Sequence, residues 1–332
     1  MGLLDERIGI LERVYGRASR TPLLPFRVPK AFMRPVSSRG SEGAALFSMR
    51  VGVVQTVIPR QGDFTGDPEL QLAPIRQSHR RHVSAILGAV HRMLQVRETH
   101  CSEGSGIELL VFPELSIHPD DIWTHVVPFV RQHRCIVCAG IVFHKAGPGM
   151  QLVNSAYWII PLQTPYEGLT VQQIEQGKWN LTKDEVNLRI QPFRPAQWIL
   201  EIVDPKDFKP LWSLTSAICY DSTDLCLAAD LRDVTDMFVV PASNTDVGTF
   251  DNMAAALHYH MFQYVIVSNS GEFGGSTAQA PFSDRNKRTI FHAHGNEQVS
   301  ISFFEVNLDT YRGDILSLKT PPAGYARRID EA

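Results

Sequence analysis

The sequence has few cysteines, no long apolar run and no excess of charge of one sign. Its five cysteines among 332 residues argue against the disulfide framework of a secreted protein and favour a reducing cytoplasm. The longest apolar stretch, at 135–143, is well short of the ~20 residues that cross a bilayer, and the acidic start does not resemble a signal peptide. Since 32 basic and 35 acidic residues nearly balance, we expect an ordinary globular protein, cytoplasmic and without membrane attachment.

Several familiar catalytic motifs are also missing. There is no phosphate-binding Gly-x-x-x-x-Gly-Lys-Ser/Thr, no His-Glu-x-x-His and no Gly-x-Ser-x-Gly. Cys135 and Cys138 have metal-like spacing, but they lie in an apolar run without a second pair of ligands, so we interpret them as buried structural residues. Two histidine pairs have no carboxylates that the sequence places beside them: His258/His260 and His292/His294. No metal and no organic cofactor is predicted.

The pattern divides the chain into three parts. Residues 1–48 are predicted to be an N-terminal arm, with a short helix at 3–15 followed by repeated prolines and, between 16 and 41, six basic and no acidic residues. This arm is interpreted as a solvated linker or, alternatively, as a docking surface for nucleic acid or an acidic partner. Residues 49–310 alternate short β-branched runs with amphipathic stretches, which is typical of an α/β domain. Residues 311–332 remain as a C-terminal tail.

Within the α/β domain the periodicity predicts individual strands and helices. Strands are predicted at 50–57, 107–112, 135–143, 154–160, 198–203, 211–219, 237–240 and 264–268. Helices are predicted after a cap at Ser78, at 120–133, at 223–231 and at 252–263. No element is predicted in the polar stretch that runs from 161 to 195.

Three residues stand at positions where chemistry is plausible. Glu114 follows a buried strand, at the edge of an α/β sheet where ligand crevices form, although a helix cap would look the same. Cys219 ends another apolar strand before a helix, where the helix dipole favours a thiolate, although free cysteines are often inert and buried. Lys178 lies in a mildly apolar context, and a lone lysine is normally solvent-facing.

Taken in order, these residues resemble one family. Phe-Pro-Glu114, then Lys178-x-x-Leu, then Ile-Cys219-Tyr-Asp resemble the nitrilase superfamily of carbon–nitrogen hydrolases. A strand ending in Gln55, a strand ending in Pro241 and a Gly-Gly-Ser loop at 274–276 extend the resemblance over most of 50–306. The resemblance implies a four-layer α-β-β-α sandwich, a Glu-Lys-Cys triad and a homo-oligomer, a dimer or higher.

The family's second glutamate selects the lysine. Family members often carry a Glu seven residues after the catalytic Lys, and Glu185 stands seven residues after Lys178, which favours Lys178 over Lys183. By this resemblance Glu185 orients the first glutamate or the substrate amine.

The triad implies covalent hydrolysis of a small-molecule amide. Cys219 is the expected nucleophile and Glu114 the expected general base and acid, while Lys178 and the backbone N–H of Tyr220 face the developing oxyanion. Cys-Tyr-Asp is similar to the amidase and carbamoylase branches more than to the nitrile-cleaving branch. The alternative is a binding or regulatory module of this fold with little turnover, attached through the basic arm to a larger assembly, for which nucleic acid is one candidate component.

Overall fold

The computed structural model describes residues 30–33, 48–100, 106–164, 168–203, 210–232, 234–282 and 285–307. The predicted helix at 3–15, most of the basic segment and the tail at 311–332 lie outside these residues. The strands are β1 Lys30–Met33, β2 Ser48–Gln55, β3 Leu109–Val111, β4 Ile136–Lys145, β5 Leu152–Thr164, β6 Gly168–Gly177, β7 Ile199–Val203, β8 Pro210–Ser216, β9 Met237–Pro241, β10 Tyr264–Ser268, β11 Ser276–Gln279, β12 Thr289–Ala293 and β13 Ser300–Asn307.

The helical segments are mostly short. They are α1 Gln61–Phe64, α2 Ala73–His100, α3 Pro119–Asp121, a π-helical turn Ile122–Val126, α4 Val127–His133, α5 Lys183–Asn187, a 3-10 turn Cys219–Thr223, α6 Leu225–Leu231, α7 Val247–Met261 and α8 Arg285–Arg288. None of the helices among the described residues combines the length and apolar character needed to span a membrane.

Two sheets form the centre of the molecule. One has seven strands in the order β1-β7-β8-β9-β10-β11-β12, and the other has six in the order β13-β2-β3-β4-β5-β6. The apolar core between them joins side chains of both sheets, among them Trp158 of β5 and Trp212 of β8. A second core packs α2 and α4 on the outside of the six-stranded sheet, and a third packs α6 and α7 on the outside of the seven-stranded sheet. The predicted four-layer α-β-β-α sandwich is therefore confirmed.

Most predicted elements are present, but many begin or end at residues other than those predicted; β5 extends to Thr164 rather than 160, and β8 ends at Ser216 rather than 219. Helix α2 begins at Ala73 rather than after Ser78. Pro74 does not prevent this start, because the backbone N–H groups of a first helical turn have no partner within the helix. Helix α6 begins at Leu225, where the Asp224 side chain accepts the N–H groups of Cys226 and Leu227. Helix α7 begins at Val247 rather than at 252.

Five strands of the structure were not predicted: β1, β6, β11, β12 and β13. β6 is an edge strand with exposed polar residues in its middle, so its sequence lacks the apolar alternation that marks a strand, and its conformation comes from pairing with β5 along its whole length. Lys30–Met33, within the segment predicted to be an arm, pairs in parallel with β7 at the edge of the other sheet.

The strand directions bring the candidate residues to one edge. β2, β3 and β4 run in parallel, and β6, separated from β4 by the antiparallel β5, runs the same way. Glu114 and Lys178 therefore follow strands whose carboxyl ends lie at the same edge of the six-stranded sheet. Cys219 follows β8, which is parallel to β9 in the other sheet. The Glu114 N–H donates to Ala242 O at 3.3 Å, which shows that the two edges meet.

Candidate active site

The loop after β3 holds Glu114 in a fixed, buried position. Glu114 is 3% exposed, and Leu115 after it adopts a left-handed conformation with φ of 57°. A Cβ on Gly140 of the neighbouring β4 would overlap Glu114 Cα and Pro113 O. The close approach of β4 therefore requires glycine, and it fixes the backbone that carries the carboxylate.

Cys219 stands at a strained turn. Its φ is 45°, in the left-handed region that costs energy for a side-chain residue, and its side chain is buried. The Glu114 and Lys178 charges both act on the pKa of this thiol, and the Ser243 N–H donates to Glu114 Oε2 at 3.1 Å. The first hydrogen bond of the 3-10 turn runs from Asp221 N–H to Ile218 O at 2.9 Å. The N–H of Tyr220, one residue earlier, consequently has no partner within the part of the chain that the structure describes.

Lys178 lies between two carboxylates. Its Nζ donates to Glu114 Oε1 at 2.8 Å and to Glu185 Oε1 and Oε2 at 3.0 and 2.9 Å, and the side chain is 1% exposed. Its backbone N–H donates to Asn154 O at 3.0 Å. Lys183, the other lysine considered, lies exposed in α5. The structure therefore brings Glu114, Lys178 and Cys219 together and leaves Lys183 outside.

Glu185 belongs to the same cluster through the lysine. It is the third residue of α5, where its carboxylate accepts the Thr182 N–H at 2.7 Å and the Thr182 hydroxyl accepts its N–H. This capping box, together with Lys178, immobilises the carboxylate. Glu185 makes no direct hydrogen bond to Glu114 among the described residues. The two carboxylates are linked through Lys178 and through Asn154, which each donate to both.

Asn154 was not singled out from the sequence. Its Nδ2 donates to Glu114 Oε1 at 2.7 Å and to Glu185 Oε1 at 2.6 Å, and the side chain is fully buried. A signal was present, because an amide in the apolar run Leu-Val-Asn-Ser-Ala-Tyr-Trp-Ile-Ile needs a polar partner in the core. Which partner it finds depends on strand pairing.

The charges split the roles of the two carboxylates. Burial raises the pKa of Glu114, opposed by Lys178 and reinforced by the negative Glu185. Burial also acts to raise the pKa of Glu185, but the Lys178 charge and the hydrogen bonds it accepts lower that pKa overall. The pKa of Glu185 is therefore lowered and that of Glu114 raised, so Glu185 is the better counter-ion of the lysine and Glu114 the better candidate for taking up a proton.

The pKa values of Lys178 and Cys219 are shifted by the same neighbouring charges. Burial alone would lower the pKa of Lys178, but Glu114, Cys219 and Glu185 together raise it, so the ammonium stays charged. Burial and the Glu114 charge raise the pKa of Cys219, opposed by Lys178. The resting thiol is protonated, and its activation requires transfer of the proton to a neighbouring base.

The other cysteines and histidines are placed elsewhere. Cys135 and Cys138 are buried, with pKa values raised mainly by burial, as expected for structural residues. His292 Nε2 lies 2.8 Å from Asp251 Oδ2. Among the described residues no three His, Cys, Asp or Glu side chains are gathered in a way that would hold a metal ion.

Comparison with known proteins gives structural likeness alone. No protein family model matches the sequence, and no curated protein matches it either. A CN-hydrolase superfamily protein from Xanthomonas campestris is 14% identical, with 80% of this chain and 93% of that chain covered and a TM-score of 0.49. An amidase from Nesterenkonia sp. AN1 is 14% identical, with 84% and 95% covered and a TM-score of 0.49. An N-terminal amidase is 12% identical, with 64% and 55% covered and a TM-score of 0.38.

Proposed function

We propose that the protein is a carbon–nitrogen hydrolase of the nitrilase superfamily that cleaves an amide or carbamoyl bond through a thioester on Cys219. One observation carries the proposal. The buried Lys178 ammonium lies 2.8 Å from Glu114 Oε1 and 2.9 Å from Glu185 Oε2, and the charges of Glu114 and Lys178 both act on the buried Cys219 thiol. Nucleophile, base and cation therefore share one water-poor site at the edge of both sheets.

The first half of the reaction forms the thioester. Glu114 takes the proton of the Cys219 thiol as the sulfur attacks the carbonyl carbon, and the carbonyl electron pair moves to oxygen. The Lys178 ammonium and the Tyr220 N–H stabilise that oxyanion. Removing one such donor typically costs about 10²-fold to 10³-fold in rate. When the oxyanion collapses, the C–N bond breaks and the leaving nitrogen takes the proton from Glu114.

The second half releases the acid. Water attacks the thioester while Glu114 accepts one of its protons, and the new oxyanion lies against the same donors. Collapse breaks the carbon–sulfur bond, and Cys219 recovers its proton from Glu114. Glu185 takes no proton in either half, because Lys178 lowers its pKa. Its role is to keep the ammonium charged and in place.

The substrate class follows from the sequence around the nucleophile. Cys219-Tyr-Asp is similar to the amidase and carbamoylase branches, so we propose a small amide or carbamoyl compound rather than a nitrile. By the same resemblance we propose a homo-oligomer, and the low cysteine count leads us to propose a cytoplasmic location. The basic arm remains a candidate contact for a macromolecular partner.

The test is hydrolysis of a panel of small amides, carbamoyl compounds and nitriles, read as amine or ammonia released. Cys219→Ala should abolish hydrolysis and labelling by an activity-based thiol probe at this position while the protein stays folded, because it removes the nucleophile and little core. Cys219→Ser should be nearly inactive as well. The matched control is Cys226→Ala, which removes an exposed thiol and should leave the rate unchanged.

Two outcomes would contradict the proposal. Turnover by Cys219→Ala at the wild-type rate would mean that the cysteine is not the nucleophile. A folded wild-type protein that hydrolyses no member of the panel would favour the binding or regulatory module.

A further inference from the structure

We infer that Asp221 is a positioning residue that ties the segment carrying Lys178 to the turn carrying Cys219. The inference rests on the proposed function and adds a residue to it. It concerns how the oxyanion-stabilising cation is held relative to the nucleophile.

The Asp221 carboxylate is saturated by donors from the lysine segment and from one arginine. Its Oδ1 accepts the Asn180 N–H at 2.6 Å, and its Oδ2 accepts the Trp179 N–H at 2.9 Å. A third donor, Arg194 Nη1, lies 3.1 Å from Oδ2. Asp221 is fully buried and Arg194 is 3% exposed. Two consecutive backbone amides directly after Lys178 are thus bound to one carboxylate.

These contacts join parts of the molecule that belong to different sheets. Trp179 and Asn180 follow β6 of the six-stranded sheet, whereas Asp221 lies in the turn after β8 of the seven-stranded sheet, two residues beyond Cys219. A carboxylate held by two successive N–H groups restricts both sliding and rotation of the bound segment. The separation between the lysine and the cysteine is therefore set by Asp221 as well as by the packing of the two sheets.

Arg194 offsets the cost of burying the Asp221 charge. Burial raises the pKa of Asp221, and the Arg194 charge and the two backbone N–H groups oppose that rise. Arg194 Nη2 also lies 3.8 Å from Asp224 Oδ2. Removing Asp221 alone would leave a buried guanidinium without its main charge partner, which by itself destabilises a protein.

The test therefore removes both charges together. In Asp221→Leu/Arg194→Met no buried charge is left alone, and replacing a buried ion pair by apolar residues is often neutral for stability. The matched control is Asp224→Asn, which removes one charge near the same Arg194 and keeps a side chain that caps α6 equally well. It leaves both backbone N–H groups with Asp221.

Three measurements separate positioning from a merely structural role. Because a misplacement of ~1 Å can cost about 10²-fold, the double variant should acylate about 10-fold to 100-fold more slowly, with KM little changed. The pH midpoint for alkylation of Cys219 should move upward, because Lys178 lowers the pKa of that thiol and would no longer be held beside it. Asp224→Asn should match the wild type in both. In the wild type, hydrogen exchange at the Trp179 and Asn180 amides should be slow.

The outcomes are distinguishable from failure of the proposed function. A shifted alkylation midpoint in a protein that hydrolyses no amide would support the positioning role and reject the hydrolase. Wild-type acylation and an unshifted midpoint in the folded double variant would reject the positioning role alone. Should the double variant not fold, unprotected exchange of both amides in the wild type would overturn the inference, and protected exchange would support it.

Discussion

We predict that the free energy of unfolding of Lys178→Met falls as the pH rises. Carboxylates that are paired with a cation in the folded state usually have the opposite effect, because they add stability as the pH rises. The substitution keeps the apolar stem of the side chain and removes its charge. Glu114 and Glu185 then share only the Asn154 amide, with hydrogen bonds of 2.7 and 2.6 Å to Nδ2. Two buried carboxylates without a cation cannot both stay ionised.

The sign follows from proton binding. In the wild type the pKa of Glu185 is lowered in the folded state, so Glu185 adds stability above its ordinary value of 4.5, and this stability is lost as the pH falls. The raised pKa of Glu114 acts in the opposite direction, so the two carboxyls partly cancel. In Lys178→Met the burial and mutual repulsion of the two carboxyls are no longer offset by the lysine, so the pKa of Glu114 rises further and the pKa of Glu185 loses its largest lowering cause. The folded variant then binds more protons than the unfolded chain, so its free energy of unfolding falls as the pH rises above 4.5.

The magnitude comes from the burial of all three groups. Breaking a buried pair by removing one partner costs about 3–5 kcal/mol when the other charge is left alone. We expect that loss near pH 8, and a much smaller one near pH 5, about half a unit above the ordinary carboxyl pKa, where protonation of the carboxyls relieves it.

The assay is urea denaturation of wild type, Lys178→Met and Lys183→Met across this pH range. Lys183 is exposed, so its substitution should change stability by less than about 0.5 kcal/mol at every pH. Parallel pH profiles for the wild type and Lys178→Met would refute the reasoning, because they would mean that the lysine does not control the protonation of the two carboxyls.

Three further predictions follow from the geometry. Since Glu114 must be ionised to accept the thiol proton, kcat/KM should rise with pH through a midpoint above 4.5, and an acid limb at or below the ordinary value would contradict the assignment of Glu114 as the base. Gly140→Ala should lower the free energy of unfolding by about 1–3 kcal/mol and remove most of the activity, because the new Cβ overlaps Glu114 Cα. The control is Gly88→Ala in the middle of α2, where only the end of a flexible arginine is nearby. It should raise the stability in thermal unfolding by about 0.5–1 kcal/mol. Deleting residues 1–41 should leave hydrolysis measurable; if the arm docks on nucleic acid, only the full-length protein should bind it, with an affinity that falls steeply with salt, and equal binding by both would favour the linker.

The amino-acid pattern predicted an α/β domain and candidates at strand ends, and the resemblance to the nitrilase superfamily added the four-layer sandwich and the triad. Buried strands such as β4 and β10 consist of unbroken apolar residues, and this local signal survives whatever the strand pairs with. Glu114 and Cys219 stand after such strands, so their place at a sheet edge follows from topology alone. The choice of Lys178 over Lys183 came from the spacing to Glu185, and the structure sets these two side chains 2.9 Å apart.

The contacts between the sheets were decided only by tertiary structure. β6 has the polar composition of a loop and becomes a strand because β5 offers it a full row of backbone partners. Asn154 and Asp221 look, in sequence, like an isolated core amide and a turn residue. Asn154 bonds carboxylates that follow two other strands of its own sheet, 40 and 31 residues away, and Asp221 bonds a segment of the other sheet, 41 and 42 residues away. Such pairings depend on which strands are neighbours, and a local pattern of apolar and polar residues carries no record of that.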